Sequence, residues 1–311
     1  MTREQVMLYK KSGQILAQSL EYALSITKPG IKLADIAEKV ENLIRENSAQ
    51  PAFPVNISIN EIAAHYSPVI NDDLVIPVDS IVKIDAGVQV NGFITDAART
   101  IIFNDKWEKM KLLARKALDK AIAIIKPGTT VYEVGEIVEK TINQEGFKPI
   151  VNLSGHSLAQ YSLHDGISIP NYKIPKRLRD KTQFFRAGGV YAIEPFVTTG
   201  KGKVKNGRDM TIFRQFREVK VDSLPKKIRE GYLYIEEHFY KMPFSPRWLH
   251  NADFPIEQVE DIMNDLINRN IVCGYPVLIE STGAPVTQAE ETILVGKDKT
   301  YILTNTKNKE K

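Results

Sequence analysis

The sequence predicts an α+β fold built from two similar halves, with a helical segment inserted into the second. Three observations carry this expectation. A unit of helix, Lys-Pro-Gly turn, second helix and extended stretch occurs twice. An Asn-Gly pair joins two runs that alternate apolar and polar residues, the pattern of a β-hairpin. Across residues 212–273 the strand-like patterning gives way to amphipathic helical spacing.

Residues 3–26 read as the first helix, and Lys28-Pro-Gly30 ends it. Leu33 to Ile44 forms the second helix, followed by the extended Val55-Asn-Ile-Ser58. The hairpin comes next, as Val82 to Val90 and Phe93 to Thr100 around Asn91-Gly92, because a type I′ turn needs positive φ at both central positions. With that turn, Val90 faces Phe93 and Asp85 faces Ala98. Asp96 is then the diagonal neighbour of Asp85 on the same face. Val82, Ile84, Val88 and Val90 lie on the other face, which packs into a core.

The unit repeats as residues 107–125, Lys126-Pro-Gly128, Val131 to Ile142, and the extended Val151-Asn-Leu-Ser154. Later strands are expected at residues 189–196, 290–295 and 300–303. Helices are expected at 224–241 and 256–270, joined by a stretch carrying Pro243, Pro246 and Pro255. The expected organisation is a catalytic body of residues 1–211 and 274–311, with 212–273 as the insertion. A site in the cleft between the halves follows from the duplication.

At 311 residues with 43% apolar content the chain can bury a sizeable core. A net charge of +4 permits contact with an anionic partner such as ribosomal RNA, but no arginine-rich or aromatic-interleaved stretch points to sequence-specific nucleic-acid reading. Lys201, Lys203, Lys205 and the tail 307–311 read as solvated. Cys273 is the only cysteine, which excludes an intrachain disulfide and fits a reducing, cytoplasmic compartment. Its expected role is that of a small buried apolar residue, and His238 and His250 read as surface or packing residues. No run approaches the ~20 apolar residues of a membrane span.

Two carboxylates side by side raise each other's pKa unless a cation sits between them. The groups able to hold one are Asp85, Asp96, His156, Glu194 and one of Glu290 or Glu291. Four acids and one imidazole suit two divalent ions, which at ~3.5–4 Å apart can share and activate one water. So oxygen-rich a set argues against a structural zinc site.

Ala63-Ala-His65-Tyr-Ser-Pro68, Lys83-Ile-Asp85-Ala-Gly87, Thr95-Asp96-Ala, Ser154-Gly-His156-Ser, Leu163-His164, Ala192-Ile-Glu194-Pro-Phe196 and Gln288-Ala-Glu290-Glu-Thr292 occur in the order seen in methionine aminopeptidases. With Phe244-Ser-Pro-Arg-Trp248 and Gly274-Tyr275-Pro276 the chain resembles the type 2 branch over essentially its whole length. It looks archaeal-like, without the amino-terminal extension of eukaryotic members. The resemblance implies the pita-bread (creatinase/aminopeptidase) fold, with two pseudo-symmetric halves around a curved, mainly antiparallel sheet. It implies a metalloaminopeptidase that removes the initiator methionine from nascent polypeptides by a dimetal-bound hydroxide, preferring a small second residue. Asp85, Asp96, His156, Glu194 and Glu290 are then the metal ligands, Asp96 and Glu290 bridging. The Gln-x-Glu-x-Thr frame of the family is what selects Glu290 over Glu291.

By the same resemblance His65 and His164 hydrogen-bond the substrate carbonyl and the developing oxyanion, and Glu194 shuttles a proton. Phe53, Phe196 and Tyr275 line the methionine slot, with Leu163 and His164 at its edge. Cobalt, manganese, iron and zinc all suit the mixed donor set. A monomer that meets nascent chains, in association with the ribosome, completes the expectation. Two departures stand out. Ala52 precedes Phe53 where many members carry glycine, and Asp209-Met-Thr-Ile-Phe-Arg lacks a histidine found in eukaryotic type 2 enzymes. Proline-directed peptidases share the metal set but usually add an amino-terminal domain, for which this chain has no room before its first helix. A ribosome-binding adaptor of the same fold would lose metal ligands that are all present here.

Overall fold

The computed structural model describes residues 1–180 and 183–305; the tail 307–311, expected to be solvated, lies outside the described residues. Helix α1 (Arg3–Ile26) begins at Thr2, whose hydroxyl accepts the Gln5 N–H while the Gln5 side chain accepts the Thr2 N–H. Helix α2 (Leu33–Glu46) follows, then strands β1 (Gln50–Ile59), β2 (Ile62–Ala64), β3 (Ile81–Val90) and β4 (Phe93–Ile102). The second copy opens with α3 (Glu108–Ile124) and α4 (Val131–Asn143), the latter started by a reciprocal Thr130–Glu133 cap. Five short strands come next: β5 (Lys148–Pro149), β6 (Ser154–Leu158), β7 (Ser168–Pro170), β8 (Val190–Ile193) and β9 (Phe196–Thr198). The chain then forms β10 (Val204–Gln215), α5 (Lys226–Phe239), α6 (Pro246–His250), α7 (Ile256–Asn268), β11 (Val272–Glu280), β12 (Val286–Gln288), β13 (Glu291–Val295) and β14 (Thr300–Ile302).

The hairpin forms in the expected register, with Val90 opposite Phe93, Asp85 opposite Ala98, and Gly87 opposite Asp96. Asn91 and Gly92 both take positive φ, 52° and 82°. Strand β3 also pairs with β1, and the other sheets run β10-β11-β2, β12-β9-β5 and β14-β13-β8-β6-β7, with every pairing antiparallel. Each half buries a helix pair against its strands. Leu16, Leu20, Ile36 and Val40 pack on Val82, Ile84, Val88 and Val90 in one half. Leu113, Leu118, Val134 and Val138 pack on Tyr191, Ile193 and Ile293 in the other.

Two local expectations fail. Residues 151–153 turn instead of extending, and only Ser154 enters β6. The Asn152 amide explains it, since its nitrogen donates to the Val204 carbonyl and its oxygen accepts the Val204 N–H, side chain replacing backbone. The proline-bearing stretch also contains the short helix α6, which Ser245 caps by accepting the Arg247 N–H, with Pro246 at the first helical position.

Helices α5 to α7 enclose a core of their own, including Ile228, Tyr232, Trp248, Leu249 and Ile262. They connect the two strands of the β10–β11 ribbon, so the chain leaves and returns within one sheet. A buried ion pair fastens them to the first half. Arg247 donates through both terminal nitrogens to Glu41 of α2, at 3.1 and 2.9 Å, and Trp248 Nε1 donates to the same carboxylate at 2.7 Å. Both charges are almost fully buried, at 3% and 0% exposure.

Candidate metal centre

Strands of both halves deliver acids to one cavity of about 430 Å³. Asp85 projects from β3 and Asp96 from β4, each at a position the hairpin alternation turns inward. From the second half come His156 on β6 and Glu194 just after β8, and Glu290 enters from the link between β12 and β13. Donor atoms of Asp96, His156 and Glu290 all lie within 4.8 Å of one another. His156 Nε2 stands 3.5 Å from Asp96 Oδ2 and 3.7 Å from Glu194 Oε1.

These acids are set up to need a cation. Burial, followed by the neighbouring charges of Asp96 and Asp85, pushes the Glu194 and Glu290 carboxyls well above the usual carboxylate range. Asp85 rises for the same reasons, burial first and then Asp96, and burial holds Asp96 up to about 7. His156 goes the other way, lowered to about 4 by burial, so its imidazole is neutral and able to ligate. Among the described residues neither lysine nor arginine lines the cavity, and the buried Asp85 Oδ1 and Asp96 Oδ1 accept no hydrogen bond. Orphaned carboxylate oxygens beside a neutral imidazole are a donor set that fits divalent metal ions.

Residues that the sequence reading treated as frame hold the acids in place. Gln288 Nε2 donates to both Asp85 Oδ2 and Glu290 Oε2, at 3.2 Å each. Thr292 accepts the Asp96 N–H and donates back to the Asp96 carbonyl. The Glu290 N–H donates to the Ala98 carbonyl, and Asn171 donates to the Glu194 carbonyl. Glu291 faces the other way. It is buried against Arg99, Arg115 and the Thr304 hydroxyl, and Arg99 also donates to the Glu290 carbonyl at 2.7 Å. The short Gln-x-Glu-x-Thr string was the signal for Gln288 and Thr292, whereas nothing in the sequence flagged Arg99.

His65 and His164 reach the same cavity, as do Phe53, Phe196 and Tyr275. His65 follows β2 with a left-handed φ of 66°, unusual for a non-glycine residue, and its ring meets Tyr275 edge-on at 5.6 Å. Its Nδ1 lies 3.3 Å from the Pro276 carbonyl, a contact that favours the tautomer with the ring proton on Nδ1. Burial lowers its pKa despite that bond. His164 stands at the open side of the cavity with its ring 4.4 Å from that of His156. Desolvation by the surrounding walls lowers its pKa, and the charges of His156, His65 and Arg214 lower it further. Phe53 lies across from Gly87, where an added Cβ would run into its ring, so the glycine of Asp85-Ala-Gly87 makes room for that aromatic. Cys273 departs from expectation, being half-buried on β11 opposite Arg214 and not a core residue. His238 is exposed on α5 and His250 is part-buried beside Phe254, both away from the cavity lining.

Residues 7–222 match the model of metallopeptidase family M24. The chain is 36% identical over 304 residues to a methionine aminopeptidase of Saccharolobus solfataricus, covering 98% of this chain and 99% of the relative. It is 40% identical over 294 residues to the methionine aminopeptidase of Thermococcus onnurineus, covering 94% and 97%. The crystal structure of a Thermotoga maritima methionine aminopeptidase superposes with a TM-score of 0.70 at 22% identity, covering 98% of each chain. No helix among the described residues is long and apolar enough to cross a membrane.

Proposed function

Because the chain belongs to metallopeptidase family M24, and within it to the methionine aminopeptidases, we propose that it removes the initiator methionine from nascent polypeptides with two divalent cations held between its halves. It is a metal-dependent hydrolase on the pita-bread fold. The observation that carries the proposal is the convergence of Asp85, Asp96, His156, Glu194 and Glu290 on one cavity beside two neutral histidines.

Asp85 would serve one cation, His156 and Glu194 the other, with Asp96 and Glu290 shared between them. Bound there, the pair would lower the pKa of a shared water and polarise the scissile carbonyl, whether the metal is cobalt, manganese, iron or zinc. His65, in the tautomer with its proton on Nδ1 toward the Pro276 carbonyl, offers Nε2 to a substrate N–H. The donor role expected for it requires the other tautomer. His164, at the open side, is the donor left for the developing oxyanion. Glu194, 3.7 Å from His156 at the acid cluster, would take the proton of the attacking water and pass it to the leaving amine. Phe53, Phe196 and Tyr275 form an apolar slot for the methionine thioether, with Leu163 at its edge. The substrates of this reading carry a small second residue.

Residues 212–273 are read as an insertion on the catalytic body, and the protein as a cytoplasmic monomer meeting nascent chains at the ribosome. The net charge of +4 permits such an approach. The decisive experiment is methionine release from Met-Ala-Ser with each metal in turn, beside Asp96→Ala. Release by the wild type and its loss in the folded variant are expected, and equal activity in both would overturn the proposal. Cleavage of Xaa-Pro peptides in place of Met-Ala peptides would redirect it to proline-directed peptidases.

A further inference from the structure

We propose that Arg214 determines specificity by pairing with a carboxylate of the peptide beyond the scissile bond. The inference rests on the aminopeptidase reading above.

The argument starts from the β10–β11 ribbon. Ile212 pairs with Tyr275, Phe213 with Gly274 and Arg214 with Cys273, with no register shift among these pairs. Directly opposed residues share a face, as do alternate residues along one strand. Ile212, Tyr275, Arg214 and Cys273 therefore lie on one face of the ribbon. Ile212 and Tyr275 line the cavity, which places Arg214 one step farther along the same surface, about 6–7 Å along the strand.

That step leads out of the cavity. Ile212 is only 3% exposed and Tyr275 half-buried, whereas Arg214 is exposed. Its guanidinium carbon sits 5.9 Å from the centre of the Tyr275 ring, which shelves the charge above the cavity wall. Among the described residues no carboxylate pairs with it, whereas the half-buried Arg229 and the exposed Lys241 each hold an acid. A guanidinium held on an aromatic shelf, anchored by the Tyr275 and Cys273 side chains and with no acid beside it, matches a carboxylate.

A substrate that places its terminal amine and scissile bond at the acids must lead the rest of its chain out along these walls. Arg214 then meets residues that follow the second position. The group read is a carboxylate, either the side chain of an Asp or Glu or the free terminus of a short peptide.

The test uses C-terminally amidated Met-Ala-Xaa-Gly peptides, with Xaa as Glu, Gln or Lys, on metal-loaded wild type, R214Q and R214E. In the wild type, kcat/KM for Glu should exceed that for Lys by about two- to fivefold at low salt, the range exposed ion pairs deliver. The ratio should collapse at high salt. It should fall to near unity in R214Q and reverse in R214E. Free-acid and amidated Gln peptides run alongside identify the terminal carboxylate if a preference for the acid disappears in R214E. The same Glu-to-Lys ratio in wild type and R214E, with no acid-to-amide difference, would overturn the inference while leaving the aminopeptidase reading intact. No methionine release from any peptide by the wild type would instead sink that underlying reading.

Discussion

The Thr292 hydroxyl grips the backbone of Asp96 from both sides, accepting its N–H and donating to its carbonyl, each at 2.7 Å. The two residues are 196 positions apart. Thr292 is itself fixed, its N–H donating to the Thr304 hydroxyl at 3.0 Å. A strand near the end of the chain thus sets where a central acid of the first half stands.

Thr292→Val keeps the shape and removes both bonds. The buried Asp96 amide and carbonyl lose a partner, which should cost about 1–3 kcal/mol in chemical denaturation. Displacing a supporting hydrogen bond should also weaken metal binding by about 10- to 100-fold in calorimetric titration. Thr292→Ser should recover most of both.

The acid cluster is held at the expense of stability. In chelator-treated protein near pH 8, Asp96→Asn should raise stability by about 1–4 kcal/mol, because burial holds the native carboxyl at about 7 and ionising it opposes folding. The same variant should lose methionine release. A metal-free variant less stable than the wild type would contradict this account of the cluster.

Metal binding should depend on pH with a defined sign. Below about 7 the native Asp96 carboxyl keeps a proton that a cation must displace. Affinity should therefore fall as pH drops through 7, with proton release measurable in buffers of different ionisation enthalpy. Flat affinity from about pH 5.5 to 8 would be the contrary result.

Glu41 and Arg247 tie the three-helix segment to α2 through a buried, doubly bonded ion pair. Removing one charge strands the other, so Glu41→Gln or Arg247→Met alone should cost about 3–5 kcal/mol. A double-mutant cycle should show strong coupling, with Glu41→Leu and Arg247→Met together less damaging than the sum of the two.

Arg99 supports Glu290 from behind, donating to its main-chain carbonyl and to the neighbouring Glu291 carboxylate. Arg99→Lys keeps the charge but loses the fork, and should weaken metal binding with a smaller effect on KM than on kcat. Equal metal affinity in variant and wild type would show Arg99 to be a packing residue only.

What the sequence determined was local. The Asn91-Gly92 turn set the hairpin register by itself, because a two-residue turn with positive φ leaves one pairing, and that pairing placed Asp85 and Asp96 on one face. The doubled unit announced two halves, each with a helix pair packed on its strands. Tertiary structure decided the rest. Which of Glu290 and Glu291 faces the cavity depends on strands separated by most of the chain, and no local pattern states it. The same holds for the left-handed backbone at His65, the amide of Gln288 between two acids, and the position of Arg214 beyond Tyr275. Turn and cap chemistry acts over a few residues, whereas the cavity exists only once two halves and a returning strand have packed against each other.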